Sequence, residues 1–270
     1  MKNLLLALCL VGMSSPAAQA VLILADNFNA PDNTNFDNSD QTGRRSGTLG
    51  PDVQLRSSRI QQQIIGNQLQ LNKPASGSGR IRFHDTANLG VWHDFATGPS
   101  GAAILADGGF RVQFDWTPVV NNNENWVSYS VGIAGQGVAE PGTRVNHADT
   151  DFGILFRQSG GSQFFDNSVP TTGGTFTATT SARHVVIDYL FSSFADGANF
   201  TVTASVDGSA PVVNQTFQWA GNAGALYMEL GSLENGTLID NFSISTIPEP
   251  SALAFAGLAA AGGVLRRRRR

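Results

Sequence analysis

Apolar and polar residues alternate with a period of two along most of the chain, the pattern of half-buried strands. Gly109–Pro118 (GFRVQFDWTP) puts Phe110, Val112, Phe114 and Trp116 on one face and Arg111, Gln113 and Asp115 on the other. Asn199–Val206 (NFTVTASV) does the same with Phe200, Val202, Ala204 and Val206 against Thr201, Thr203 and Ser205, and Asp207-Gly208 follows as a turn. Val21–Phe28, Trp126–Ile133, Phe152–Gln158 and His184–Phe191 read as further strands, and Val212–Trp219, Ala225–Gly231 and Leu238–Ser245 complete the set. Thr171–Thr180 is a Thr/Gly-rich loop or edge, and Asn29–Gly50 a long polar loop. No helical periodicity stands out between the two ends of the chain. Some ten to twelve strands without crossover helices predict an all-β fold, an antiparallel β-sandwich.

The two ends follow other patterns. Residues 1–20 carry Lys2, an apolar run Leu4–Val11 and the small-x-small site Ala18-Gln19-Ala20, the layout of a signal peptide handled by the Sec translocon and signal peptidase. At the other end, Pro248-Glu249-Pro250 is a stiff, extended tripeptide, because each proline fixes its own φ and keeps the preceding residue out of the helical region. Residues 251–265 are uncharged and built mainly from Ala, Leu and Gly, enough for about 22 Å of helix against roughly 30 Å of hydrocarbon. That predicts a short transmembrane helix and a transient inner-membrane anchor. Arg266, Arg267, Arg268, Arg269 and Arg270 form a basic cluster that stays on the cytoplasmic side. This order of Pro-Glu-Pro, short apolar helix and terminal arginines resembles the PEP-CTERM sorting signal of Gram-negative, exopolysaccharide-producing bacteria. The resemblance implies an exosortase as partner, processing at or near Pro248–Pro250, and delivery to the cell surface or extracellular matrix. The expected layout is therefore a signal peptide (1–20), a β-sandwich domain (21–246) and a sorting signal (247–270).

Composition narrows the partners of the central domain. The only cysteine, Cys9, lies in the signal peptide, so the exported body has no disulfide, thiol nucleophile or thiolate metal site. Setting aside Lys2, Arg266–Arg270 and Glu249 from 17 basic and 21 acidic residues leaves 11 and 20, a net charge of about −9. An acidic body argues against nucleic acid and anionic surfaces and leaves neutral glycans, cations and proteins.

Two phrases carry a second resemblance. The opening ADNFN (Ala25–Asn29) and closing LIDNFSIS (Leu238–Ser245) are similar to the first and last strands of the concanavalin A-like jelly roll, as found in lectins and family-16 glycosidases. The resemblance implies that the first and last strands lie side by side. It also implies a structural Ca²⁺ held by Asp240 of the last strand, with Asp26 and Asn27 as first-strand ligands; strand-end capping is the competing reading of these residues.

Catalytic patterns are weak. The body has four glutamates, Glu124, Glu140, Glu229 and Glu234, and lacks the same-strand carboxylate motif of family-16 enzymes. Only Glu229 falls on a strand, leaving an unorthodox pair with Asp115 as the hydrolase alternative. The four histidines lack zinc spacing. Aromatic rings that could stack on sugars are Trp92, in the loop segment LGVWHDF, and Trp126 and Trp219 at strand ends; packing is the competing reading. Trp116 shares the apolar face of its strand and is assigned to the core. The expectation is a non-catalytic glycan-binding jelly roll, with exopolysaccharide as its ligand. A structural matrix or coat protein is the alternative.

Overall fold

In the computed structural model, the residues described are 19–247, apart from 33, 39–42, 51, 59, 74–77, 120–124, 134–144, 149 and 221–223. The signal peptide, the Pro-Glu-Pro motif, the apolar stretch 251–265 and the arginine cluster therefore lie outside the described residues. Among those described, no helix is long and apolar enough to cross a membrane.

The body, Ala20–Ile247, is one compact unit with eighteen strands among its described residues. In chain order they begin with β1 (Leu22–Asp26), β2 (Thr34–Asn35), β3 (Arg45–Ser46), β4 (Val53–Ser58), β5 (Gln63–Ile65), β6 (Gln68–Leu71), β7 (Gly79–Asp85) and β8 (Asn88–Trp92). A helix α1 (Gly98–Ala106) separates these from β9 (Gly109–Thr117), β10 (Trp126–Ile133), β11 (Thr150–Arg157), β12 (Gly161–Asp166) and β13 (Val169–Thr175). The series closes with β14 (Arg183–Leu190), β15 (Asn199–Val206), β16 (Val213–Gln218), β17 (Met228–Ser232) and β18 (Thr237–Thr246). The strands anticipated from alternation are present within a few residues. The count exceeds expectation because the segment 34–92 contributes β2 to β8, most of them short; β2 and β3 interrupt the expected loop Asn29–Gly50, and β8 enters the expected loop around Trp92.

Two antiparallel sheets result. The first has the order β16-β15-β14-β9-β18-β6-β5-β2, with β1 paired to β18 and β3 to β1; the second runs β13-β12-β11-β10-β17-β7-β4, with β8 on β7. First and last strands are antiparallel neighbours, Ala25 opposite Ser243 and Asp26 opposite Phe242, as the jelly-roll resemblance implies. β18 changes partner midway. On one side Thr237–Ile239 pair with β6 and Phe242–Ser245 with β1, and on the other the register against β9 slips between Asp240 and Ser243. Asn241, at a left-handed φ of 48°, supplies this bulge, since asparagine tolerates that conformation better than most residues.

The inward faces meet in one apolar core. Phe110, Val112, Phe114 and Trp116 of β9 are fully buried, as their alternation requires. Aromatic rings fill the space toward β16: Phe152 lies 4.7 Å from Phe217 and 6.1–6.4 Å from Tyr189, Phe164 and Phe200, measured between centroids. The outer face of the second sheet is also buried near its centre, at Ser128, Ser130 and Glu229. There Trp126, Leu155 and Phe165 pack with Val145, whose carbonyl lies so close to Gly153 that a Cβ at Gly153 would clash.

Helix α1 corrects the expectation of no helix between the ends. Its GPSGAAILA sequence has little apolar periodicity, but its boundaries are chemically marked. Thr97-Gly98-Pro99 starts it with proline in the first turn, and Asp107 donates its backbone N–H to Ala103 O while Gly108, at φ 71°, turns the chain out. Of the expected loop or edge Thr171–Thr180, Thr171–Thr175 belong to the edge strand β13.

Phe152 contacts aromatic rings from both sheets, so truncation opens a cavity that neither sheet can close alone. Phe152→Ala should lower unfolding free energy by about 3–5 kcal/mol with the denaturant slope unchanged, as read by urea titration.

Candidate functional site

Three turns converge at the β16 edge of the sandwich. The first joins β12 to β13: Asn167 (φ 45°) and Ser168 (φ 72°) are both left-handed, the geometry of a tight two-residue hairpin, with Asp166 directly opposite Val169. The second is the β14–β15 connection carrying Asp196 and Gly197, and the third is Trp219-Ala220, following β16. Between them lies a cavity of about 720 Å³ lined by Asp166, Asn167, Asp196, Asn199, Thr216 and Gln218, with Gly197, Phe217, Trp219 and Ala220 completing the wall. Its polar lining offers carboxylate, amide and hydroxyl groups; none of the described lining residues is basic.

Trp219 fixes this geometry. Its indole stacks on Phe200 at 3.9 Å and meets Phe191 edge-on at 5.2 Å, while its Nε1–H donates to Ser193 O at 2.9 Å. Its backbone carbonyl accepts from Gly197 N at 2.7 Å and its N–H donates to Ala198 O at 3.0 Å. The acidic turn is thus stapled to the end of β16.

Behind the cavity stands Asp151, at the start of β11 and fully buried. Its Oδ1 accepts from Ala220 N at 2.9 Å, and its carbonyl accepts from Asn167 N at 3.3 Å. Burial, with Asp196 and Asp166 adding like charge, pushes its carboxyl up to about 7 against the opposing Ala220 hydrogen bond. Three carboxylates therefore act on one space. Sequence reasoning passed over all three: Asp151 and Asp166 stand at the ends of strands, in Asp151-Phe152-Gly153 and Asp166-Asn167, and Asp196 in the turn Asp196-Gly197.

The expected sugar platform is not formed. Trp92, Trp126 and Trp219 are 2, 6 and 1 % exposed, so none of these indole faces is open for stacking. Trp92 ends strand β8 rather than lying in a loop; the Arg82 guanidinium sits 4.0 Å over its ring and Tyr227 meets it edge-on. Trp126 packs in the small outer cluster with Val145, and Trp219 alone of the three borders the cavity.

The residues considered for calcium are also placed apart in role. Arg44 Nε donates to both oxygens of buried Asp26, at 2.9 and 3.1 Å, and Phe28 N adds a third bond at 2.8 Å. Burial still raises the Asp26 carboxyl against the pull of Arg44. Asn27 Oδ1 accepts from Asn29 N. Asp240 lies opposite Asp115, which is held by His184 Nδ1 at 2.8 Å and Asn241 Nδ2 at 2.7 Å. Burial, with Asp115 adding repulsion, raises Asp240. A guanidinium occupies the coordination space of Asp26, so this set does not fit Ca²⁺. Among the described residues no three His, Cys, Asp or Glu side chains gather closely enough to hold a metal.

The hydrolase pair fails on geometry as well. Asp115 is on β9 of the first sheet and Glu229 on β17 of the second. Phe114 and Trp116 beside one, and Met228 and Leu230 beside the other, point into the shared core. The two carboxylates therefore face outward on opposite sides of the sandwich, farther apart than the roughly 10 Å between sheets and beyond the spacing a glycosidase needs. Glu229 is instead a buried ion-pair centre, 2.7 Å from Arg82 Nε and 3.5 Å from Arg80 Nη1.

Two outcomes follow. Glu229→Gln leaves two buried guanidinium groups without this counter-charge and should cost roughly 3–5 kcal/mol in chemical denaturation. For Asp151, the folded carboxyl keeps its proton to about pH 7 while the unfolded one loses it near 3.8, so the group erodes stability as pH rises across that window. Asp151→Asn should therefore melt above the parent at pH 8, and the two melting curves should converge near pH 4.

Residues 246–270 match the PEP-CTERM protein-sorting motif. A comparison with curated proteins finds no match. Solved structures similar to the body include the carbohydrate recognition domain of Emp46p, in a mutant form, at 7% identity and a TM-score of 0.47, covering 83% of this chain and 98% of that one. Lectin I-B4 from Griffonia simplicifolia, metal-free form, is 11% identical with a TM-score of 0.40, covering 72% and 92%. A Trypanosoma rangeli sialidase is 12% identical with a TM-score of 0.45, covering 84% of this chain and 31% of that one. The chain thus carries a PEP-CTERM sorting signal, which marks it for export to the cell surface or extracellular space with an exosortase as sorting partner, on an antiparallel β-sandwich body.

Proposed function

We propose that the body is a non-catalytic glycan-binding module, delivered to the surface of an exopolysaccharide-producing cell by the Sec translocon, signal peptidase and exosortase, with extracellular polysaccharide as its ligand. The observation that carries this reading is the cavity beside β16. Sugars are recognised by convergent hydroxyl, amide and carboxylate groups held in fixed geometry; Asp166 and Asn167 on the turn held by Asp151, Asp196 on the turn stapled by Trp219, and Asn199 and Gln218 at the ends of β15 and β16 offer that set. Recognition here runs through hydrogen bonds at a cavity wall, with the aromatic residues supplying rigidity from behind. The separation of Asp115 from Glu229 supports a binding role over hydrolysis.

The structural-matrix reading has its own support. β16 is an edge strand with the uncharged sequence VNQTFQ, and an uncharged edge is open to pairing with another chain.

The test is calorimetric titration of residues 21–247 with the producing cell's exopolysaccharide, with calcium and then with chelator. Saturable binding, weakened at least about tenfold by Asn167→Ala or Asp196→Asn with circular dichroism unchanged, is the expected result. Loss on chelation adds a calcium requirement; absence of binding in both conditions returns the matrix reading.

A further inference from the structure

We infer that the cavity beside β16 selects glycans bearing free amino groups, such as de-N-acetylated hexosamine units, over uncharged and uronate-bearing ones; this rests on the glycan-binding reading above. The cavity itself supplies the argument. Asp166 and Asp196 border it from opposite turns, and the remaining polar lining consists of amides and one hydroxyl, Asn167, Asn199, Gln218 and Thr216. None of the described lining residues is cationic. Fully buried Asp151 lies behind and interacts electrostatically with both aspartates.

Like charges brought together in a partly desolvated space repel more strongly than in water. A bound ammonium changes the sign of that interaction. It carries three donors and no acceptor, which suits a wall rich in carboxylate and amide oxygens, and charge-assisted hydrogen bonds are about twice as strong as neutral ones. A uronate carboxylate would face Asp166 and Asp196 directly, which excludes it. N-acetylation removes the charge and two of the three donors, leaving the Asp166 and Asp196 carboxylates without a cation. The rigid hold on Gly197, through Trp219, limits how far the Asp196 turn can retreat from an unsuitable ligand.

The experiment titrates residues 21–247 in a calorimeter with glucosamine, N-acetylglucosamine and glucuronate, then with the corresponding short oligosaccharides. Single sugars keep general attraction of an acidic protein for a polycation out of the reading. The expected result is at least about tenfold preference for the amine over the acetamide and no measurable binding of the uronate. Asp166→Asn and Asp196→Asn should each reduce that preference to about threefold or less. Asp52→Asn, which removes the same charge from an exposed position away from the cavity, should leave it intact. Equal or better binding of the acetamide, or a preference that survives Asp166→Asn with Asp196→Asn, overturns this inference and leaves the glycan reading standing. Failure of all three sugars together with the exopolysaccharide overturns both.

Discussion

The architecture depends on where β18 sits. It is the last strand in the body and the central one in its sheet, with β9 along one side and β6, then β1, along the other. Every link between the parts of that sheet runs through it. Without β18, the group β16-β15-β14-β9, the group β6-β5-β2 and the pair β1-β3 share no hydrogen-bonded neighbour. The bulge at Asn241 lies in the ladder with β9, at the point where the other side of β18 passes from β6 to β1. The pairing β18 creates is between residues distant in sequence, so each of these ladders carries a loop-closure cost.

The cavity stands well away from that junction, at the β16 edge of the sheet. Among the described residues β16 pairs with β15 alone, and past its last residues the Asp196-Gly197 turn continues that ladder through Trp219 while the Asp166-Asn167 turn completes the cavity wall. The cavity is therefore built on an edge, with its stiffness drawn from the aromatic cluster behind it. Trp219, Phe200, Phe217 and Phe152 form a continuous run of ring contacts from the cavity wall into the core. A ligand in the cavity meets polar groups whose supports are apolar and tightly packed.

Alternation made much of the fold readable. In β9 and β15 it named the buried face correctly down to Trp116 and Val206, because both strands have one face in the core and the other in water. It misled where a strand's second face is also covered. Arg80, Arg82 and Glu229 occupy polar positions of alternating strands yet are buried, and Trp92 and Trp126 look like exposed aromatics yet pack inside. The short strands between Thr34 and Trp92 carry too few residues for a period to register, and α1 is recognisable by its boundary residues rather than its apolar spacing. The candidate site was illegible for a different reason. Asp151, Asp166 and Asp196 lie on three separate segments, and only the docking of the Asp166-Asn167 and Asp196-Gly197 turns against the end of β16 brings Asp166 and Asp196 to one cavity with Asp151 behind it.

The meeting of the first and last strands has a mechanical consequence. Val21 N donates to Thr246 Oγ1 at 2.8 Å, and Thr246 N donates to Val21 O at 2.9 Å. Drawing these two ends apart opens the β1–β18 ladder one bond at a time, the weakest way to load antiparallel strands. A body tethered at Ile247 while gripping a polymer beside β16 carries tension along another route, across β9, β14 and β15, whose ladders each span six or more residue pairs. The junction that would unzip first bears none of that load.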